Sequence, residues 1–111
     1  MATIKYTIQT ETGPKEVEGT KMKNLPFAYR RPYAGAASVY LDHLPSGRSA
    51  GHFLQVAGAR CYAAALNTYW PDCTASQPGA VPDILRRYYE DITGSKSVNY
   101  EEWIKAHEAR N

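Results

Sequence analysis

The chain has 111 residues, 43% hydrophobic and 22% charged, a length that suits one domain of roughly 100–150 residues. That composition excludes intrinsic disorder, and no apolar run approaches the roughly 18 residues of a membrane span. The net charge of +2 is unevenly spread: residues 20–60 hold Lys21, Lys23, Arg30, Arg31, Arg48 and Arg60 against Asp42 alone, a balance of +5. Residues 72–110 hold seven acids and five bases, a balance of −2. A basic face and a mildly acidic one are expected, which excludes an acidic mimic of DNA.

Met1-Ala2-Thr3-Ile4-Lys5 leads straight into alternating residues, without the apolar segment and cleavage site of a signal peptide. The two cysteines, Cys61 and Cys73, are fewer than a small secreted scaffold carries. The chain therefore reads as cytoplasmic, and as a single domain over 1–111 that folds without disulfides.

Ile4, Tyr6 and Ile8 alternate with Lys5, Thr7 and Gln9, the pattern of a half-buried strand. Thr12-Gly13 predicts a hairpin turn that sets Ile8 opposite Val17. A loop is expected from Gly19 to Pro26, then a short strand in which Phe27 and Tyr29 alternate with Ala28 and Arg30, ended by Pro32. Val39 and Leu41 on one side of Leu44-Pro45-Ser46-Gly47, and Phe53 on the other, predict a second hairpin. Pro favours the start of such a turn, and Gly47 tolerates a left-handed backbone. With a bulge at Gly47, Val39 pairs with Phe53 and Tyr40 with His52. Tyr40, Asp42 and His52 then share the face turned away from the core.

From Gln55 to about Trp70 the period becomes helical: Ala59, Tyr62, Leu66 and Trp70 form one stripe. Ala57, Cys61, Ala64, Ala65 and Thr68 form a second face of small residues, and only Arg60 and Asn67 mark a polar edge. This helix is expected to be central and largely buried. Pro71-Asp72 ends it, and Pro82 opens another with Ile84, Leu85, Tyr88 and Ile92 inward and Gly94 as its stop. Asn99 caps a last helix, with Glu102 reaching back and Val98 stapled to Trp103. Strands first and helices after favour an α+β fold: an antiparallel sheet of about five strands followed by about three helices packed on it.

The candidate chemistry is thin. His43, His52, Cys61 and Cys73 are too widely spaced for a structural zinc site, and no glycine loop has the setting of a phosphate cradle. No cofactor is expected. Asp42 with His52, or Cys73 with His52, would be the acid/base or nucleophilic pair of a small enzyme. Ser46 beside His43 reads instead as a turn serine. Basic and aromatic residues together are the more informative feature: Lys21, Lys23, Tyr29, Arg30, Arg31, Tyr33 and, across the sheet, Arg48. Arg and Tyr recur at binding hot spots, and the same mixture neutralises phosphates and stacks on bases.

The unit Val39 through Trp70, with its aromatic strand, the turn His43-Leu44-Pro45-Ser46-Gly47, a second strand and an alanine-rich helix, resembles small phage- and mobile-element-encoded proteins of the anti-CRISPR type. The resemblance covers under a third of the chain. It implies a compact protein that masks a host protein or ribonucleoprotein complex without catalysis, and it carries no catalytic residue across. The expected function is thus partner binding and inhibition. Direct nucleic-acid binding through the same patch is the alternative, a small enzyme the second. Homo-oligomerisation is compatible with each.

Overall fold

The computed structural model describes residues 3–69, 82–93 and 98–109. They form β1 (Thr3–Thr10), β2 (Gly13–Lys21), β3 (Phe27–Arg30), β4 (Val39–His43) and β5 (Arg48–Phe53), then α1 (Val56–Tyr69), α2 (Asp83–Ile92) and α3 (Tyr100–Ala109). The strands lie in the sheet in chain order, each antiparallel to the next. This is the α+β arrangement that the sequence order implied.

The first hairpin forms in a different register from the one expected. Tyr6 pairs with Val17 and Ile8 with Lys15, so Ile8 does not face Val17. The cause is Thr10, whose hydroxyl accepts from the Thr12 N–H at 3.3 Å and donates to the Gly13 carbonyl at 2.6 Å. That fixes Glu11 and Thr12 as the turn, in place of Thr12-Gly13. An even shift keeps every side chain on its intended face, so the hydrophobic pattern could not reveal the error. β2 also runs on to Lys21, through part of the expected loop, because Thr20 and Lys21 pair with Tyr29 and Ala28.

The second hairpin pairs Val39 with Phe53 and Tyr40 with His52, as expected. Gly47 takes φ +71°, and its N–H bonds the His43 carbonyl at 2.8 Å. The ladder irregularity lies elsewhere: Leu41 faces Gly51 while Asp42 faces Ser49, which leaves Ala50 as the extra residue. Such a bulge sharpens the local twist. The curl brings the β4–β5 turn against the first strand, where the Gln9 N–H bonds the Gly47 carbonyl at 2.9 Å.

Phe27, Tyr29, Val39, Leu41 and Phe53 form the sheet side of the core, facing Ala59, Tyr62 and Leu66 of α1, Leu85, Tyr88 and Ile92 of α2, and Tyr100 and Trp103 of α3. α1 touches β3, β4, β5, α2 and α3, so it is central. It is not largely buried, however: Ala57, Ala64 and Thr68 of the small-residue face are exposed. The helix covers one side of three strands, and among the described residues no element packs on its outer side. In α3 the Glu102 N–H bonds Asn99 Oδ1 at 2.9 Å, the expected cap, and Val98 packs against the core that holds Trp103. Trp70, the Pro71–Ala80 loop with Cys73, and Gly94 lie outside the described residues. Among those described, no helix is long and apolar enough to cross a membrane.

Candidate binding surface

The seven basic and aromatic residues singled out in the sequence divide into three groups. Lys21, Lys23 and Tyr29 line a groove of about 690 Å³ between the β2–β3 connection and α1, completed by Met22, Leu25, Arg60 and Ala64. Tyr29, Arg30, Arg31 and Tyr33 line a second, of about 450 Å³, with Thr3, Glu18, Gly19, Thr20 and Ala34. Tyr29 borders both. Arg48 stands apart, in a shallow groove with Gln9, Thr10, Glu11 and Ser49. The structure thus brings six of the seven residues onto two adjoining grooves and leaves Arg48 out.

Two of those six differ from a free surface contact. Tyr29 is only 8% exposed and belongs to the core, because its partner across the ladder, Leu41, faces the helices. Arg30 is committed: its Nε donates to Asp42 Oδ2 at 2.7 Å, and the guanidinium lies over the Tyr40 ring, 4.6 Å from its centroid. Arg31 is exposed, with its guanidinium donating to the Ala36 carbonyl at 2.5 Å and folding the following loop back on β3. Tyr33 is 71% exposed. Lys21 and Lys23 are exposed, and the Lys21 ammonium donates to the carbonyls of Met22 and Leu25 at 3.1 and 3.2 Å.

Arg60 is the residue of this surface that sequence reasoning passed over, as the polar edge of α1. The signal was present: it is the one charged residue between Val56 and Tyr69. Only the tertiary packing shows that it meets Lys21 and Lys23 around one groove.

The expected pairing of Asp42 with His52 is not formed. Asp42 is 1% exposed and is taken by Arg30 and by the Tyr6 hydroxyl, which donates to its Oδ2 at 2.7 Å. Tyr6 reaches β4 by passing over Gly19, where a Cβ would lie 2.6 Å from the Tyr29 carbonyl and 2.9 Å from the Tyr6 hydroxyl. Burial, together with the bond to Asp42 and its negative charge, pushes the Tyr6 pKa far up, against the smaller opposing pull of Arg30. His52 is exposed and packs on Tyr40, ring centroids 4.7 Å apart. Among the described residues no carboxylate orients it there.

His43 points to the other face, buried against Phe27, with Nδ1 2.8 Å from Ser46 Oγ. Ser46 Oγ also accepts from the Arg48 N–H at 3.2 Å, so this contact closes the turn. Burial lowers the His43 pKa, and Asp42 faces away from the ring. Burial likewise raises the thiol of Cys61, with a smaller opposing effect from Tyr88. Among the described residues no group of His, Cys, Asp and Glu could hold a metal ion. Comparison with protein-family models, curated proteins and solved structures found no match to this chain.

Proposed function

We propose that this chain is a non-enzymatic binding protein, an inhibitor of the phage-encoded, anti-CRISPR type, which masks a surface of a cytoplasmic host nucleic-acid-processing complex. The observation that carries the reading is the clustering of Lys21, Lys23 and Arg60 around one groove, with Arg31 and Tyr33 on the next. Among the described residues lining either groove, Glu18 is the only acid. Such a surface steers toward acidic or phosphate-bearing partners. The test is a pull-down from host lysate with and without nuclease. A protein partner that survives nuclease, and is lost when Lys23 and Arg31 are both changed to Glu, supports the reading. Retention by the double variant refutes it.

Direct binding of nucleic acid is the second reading, favoured by Tyr33, a largely exposed ring beside Arg31 where a base can stack. Salt separates the two. Phosphate binding weakens steeply and log-linearly with salt through counterion release. A protein interface anchored on apolar and aromatic contacts weakens much less.

A further inference from the structure

We infer that the groove between the β2–β3 connection and α1 seats an apolar side chain of a partner's extended peptide segment, with that segment's flanking carboxylates on the Lys23 side of the rim. The inference rests on the protein-binding reading above and names what the partner presents. Its floor is Met22, Leu25 and Tyr29, with Ala64 of α1 as the far wall. Its charges are all of one sign, since no acid lines it among the described residues. The volume of about 690 Å³ lies inside the range of roughly 300–1,000 Å³ typical of ligand sites. An apolar floor under a cationic rim complements an apolar residue flanked by Asp or Glu.

The wall is built in advance of any ligand. Lys21 spends two of its donors on the Met22 and Leu25 carbonyls, the Met22 N–H bonds the Phe27 carbonyl at 2.9 Å, and Asn24 holds φ +60°. A preformed wall lowers the ordering cost of binding. Nucleic acid fits this groove poorly. Bases need an open aromatic platform, and the one ring among the described lining residues, Tyr29, is 8% exposed.

A random octapeptide display library selected on the immobilised full chain tests this. Recovered peptides are expected to carry Leu, Ile, Met or Phe next to Asp or Glu. Labelled copies should bind at least ~10-fold more weakly to Ala64→Trp, which fills the groove from an exposed helix position, and to Lys23→Glu. Arg86→Glu, on the exposed side of α2, should bind them as the parent does. Thermal melts matching the parent establish that each variant is folded. No enrichment, enrichment of peptides without acids, or equal binding by Ala64→Trp overturns the inference. So does a groove occupied by a second copy, seen as a dimer that Ala64→Trp dissociates, or by an oligothymidylate that Ala64→Trp releases. Failure of the wider reading looks different: lysate yields no nuclease-resistant partner, while the selected peptides still bind.

Discussion

The Tyr89 hydroxyl serves both main-chain polar groups of His52, accepting from its N–H at 3.0 Å and donating to its carbonyl at 3.4 Å. Just beyond, the Leu54 N–H bonds the Thr93 carbonyl at 3.1 Å. α2 and the residue after it therefore occupy the outer edge of β5, where an unprotected strand would offer its backbone to another chain. The ring that delivers the hydroxyl meets Phe53 edge-on, centroids 5.3 Å apart, and lies 5.1 Å from Tyr62.

That packing makes Gly51 a tight site. A Cβ there would overlap the Tyr89 ring and come within 3.1 Å of Phe53, and the backbone at Gly51 holds φ +156°. Gly51→Ala is expected to cost about 1–3 kcal/mol, as overpacking does. Tyr89→Phe, which removes only the hydroxyl, should cost about 1 kcal/mol. Urea unfolding measures both, and a neutral Gly51→Ala would show that α2 is free to shift.

Arg30 is the second case. Its place at the end of β3 suits an exposed cation, but its partner Asp42 is 1% exposed. Arg30→Glu sets a second carboxylate against a buried one. Breaking such a pair costs about 3–5 kcal/mol, less here because the Arg30 side chain keeps 19% of its exposure. Arg31→Glu should cost less, about 1–2 kcal/mol, since it gives up the bond to the Ala36 carbonyl but leaves no buried charge unpaired. Parallel melts of the two single variants decide the matter: equal melting temperatures would show that the Arg30–Asp42 contact contributes no more than the Arg31–Ala36 bond.

The pH dependence should be bounded on both sides. Tyr6 and Tyr88 have pKa values raised mainly by burial, so the folded state favours their neutral forms. Their contribution is complete below about pH 10 and is lost above it, as the unfolded chain ionises first. Tyr6→Phe should flatten part of that alkaline slope. His43 has a lowered pKa, so its contribution is complete above about pH 6.5 and is lost as acid protonates the unfolded chain. Stability measured across the pH range should show His43→Gln flattening the slope just below pH 6.5. Unaltered slopes in both variants would mean that neither group titrates differently on folding.

Trp103 tests the last helix. It is 6% exposed, its indole N–H donates to Asp91 at 2.7 Å, and His107 stacks on it at 5.1 Å. Trp103→Ala should cost about 3–5 kcal/mol, and Asn99→Ala about 1 kcal/mol for the lost cap. A Trp103→Ala variant melting with the parent would mean that α3 contributes little to the core.

Period and punctuation made most of the fold legible: Phe27 and Tyr29 against Ala28 and Arg30, Val39 across from Phe53, the Asn99 cap. The two main errors have separate causes. Ile8 against Val17 failed because hydrophobic patterning is blind to even register shifts, and a threonine hydroxyl set the turn. The buried small face on α1 failed because a helix pattern shows which residues can be covered, never what arrives to cover them. In the candidate surface, Lys21, Lys23 and Tyr29 were legible from composition. Arg60 and the commitment of Arg30 were not, since both depend on contacts between different elements.

The Tyr6–Asp42 bond spans 36 positions and joins the first strand to the fourth. Edge strands ordinarily fray first and exchange their amide hydrogens early. Here fraying of β1 would strip a hydrogen bond from a buried carboxylate, so opening of the edge is linked to opening of the interior. Protection of β1 and β4 amides in hydrogen exchange should therefore be partly coupled, and Tyr6→Phe should loosen that coupling.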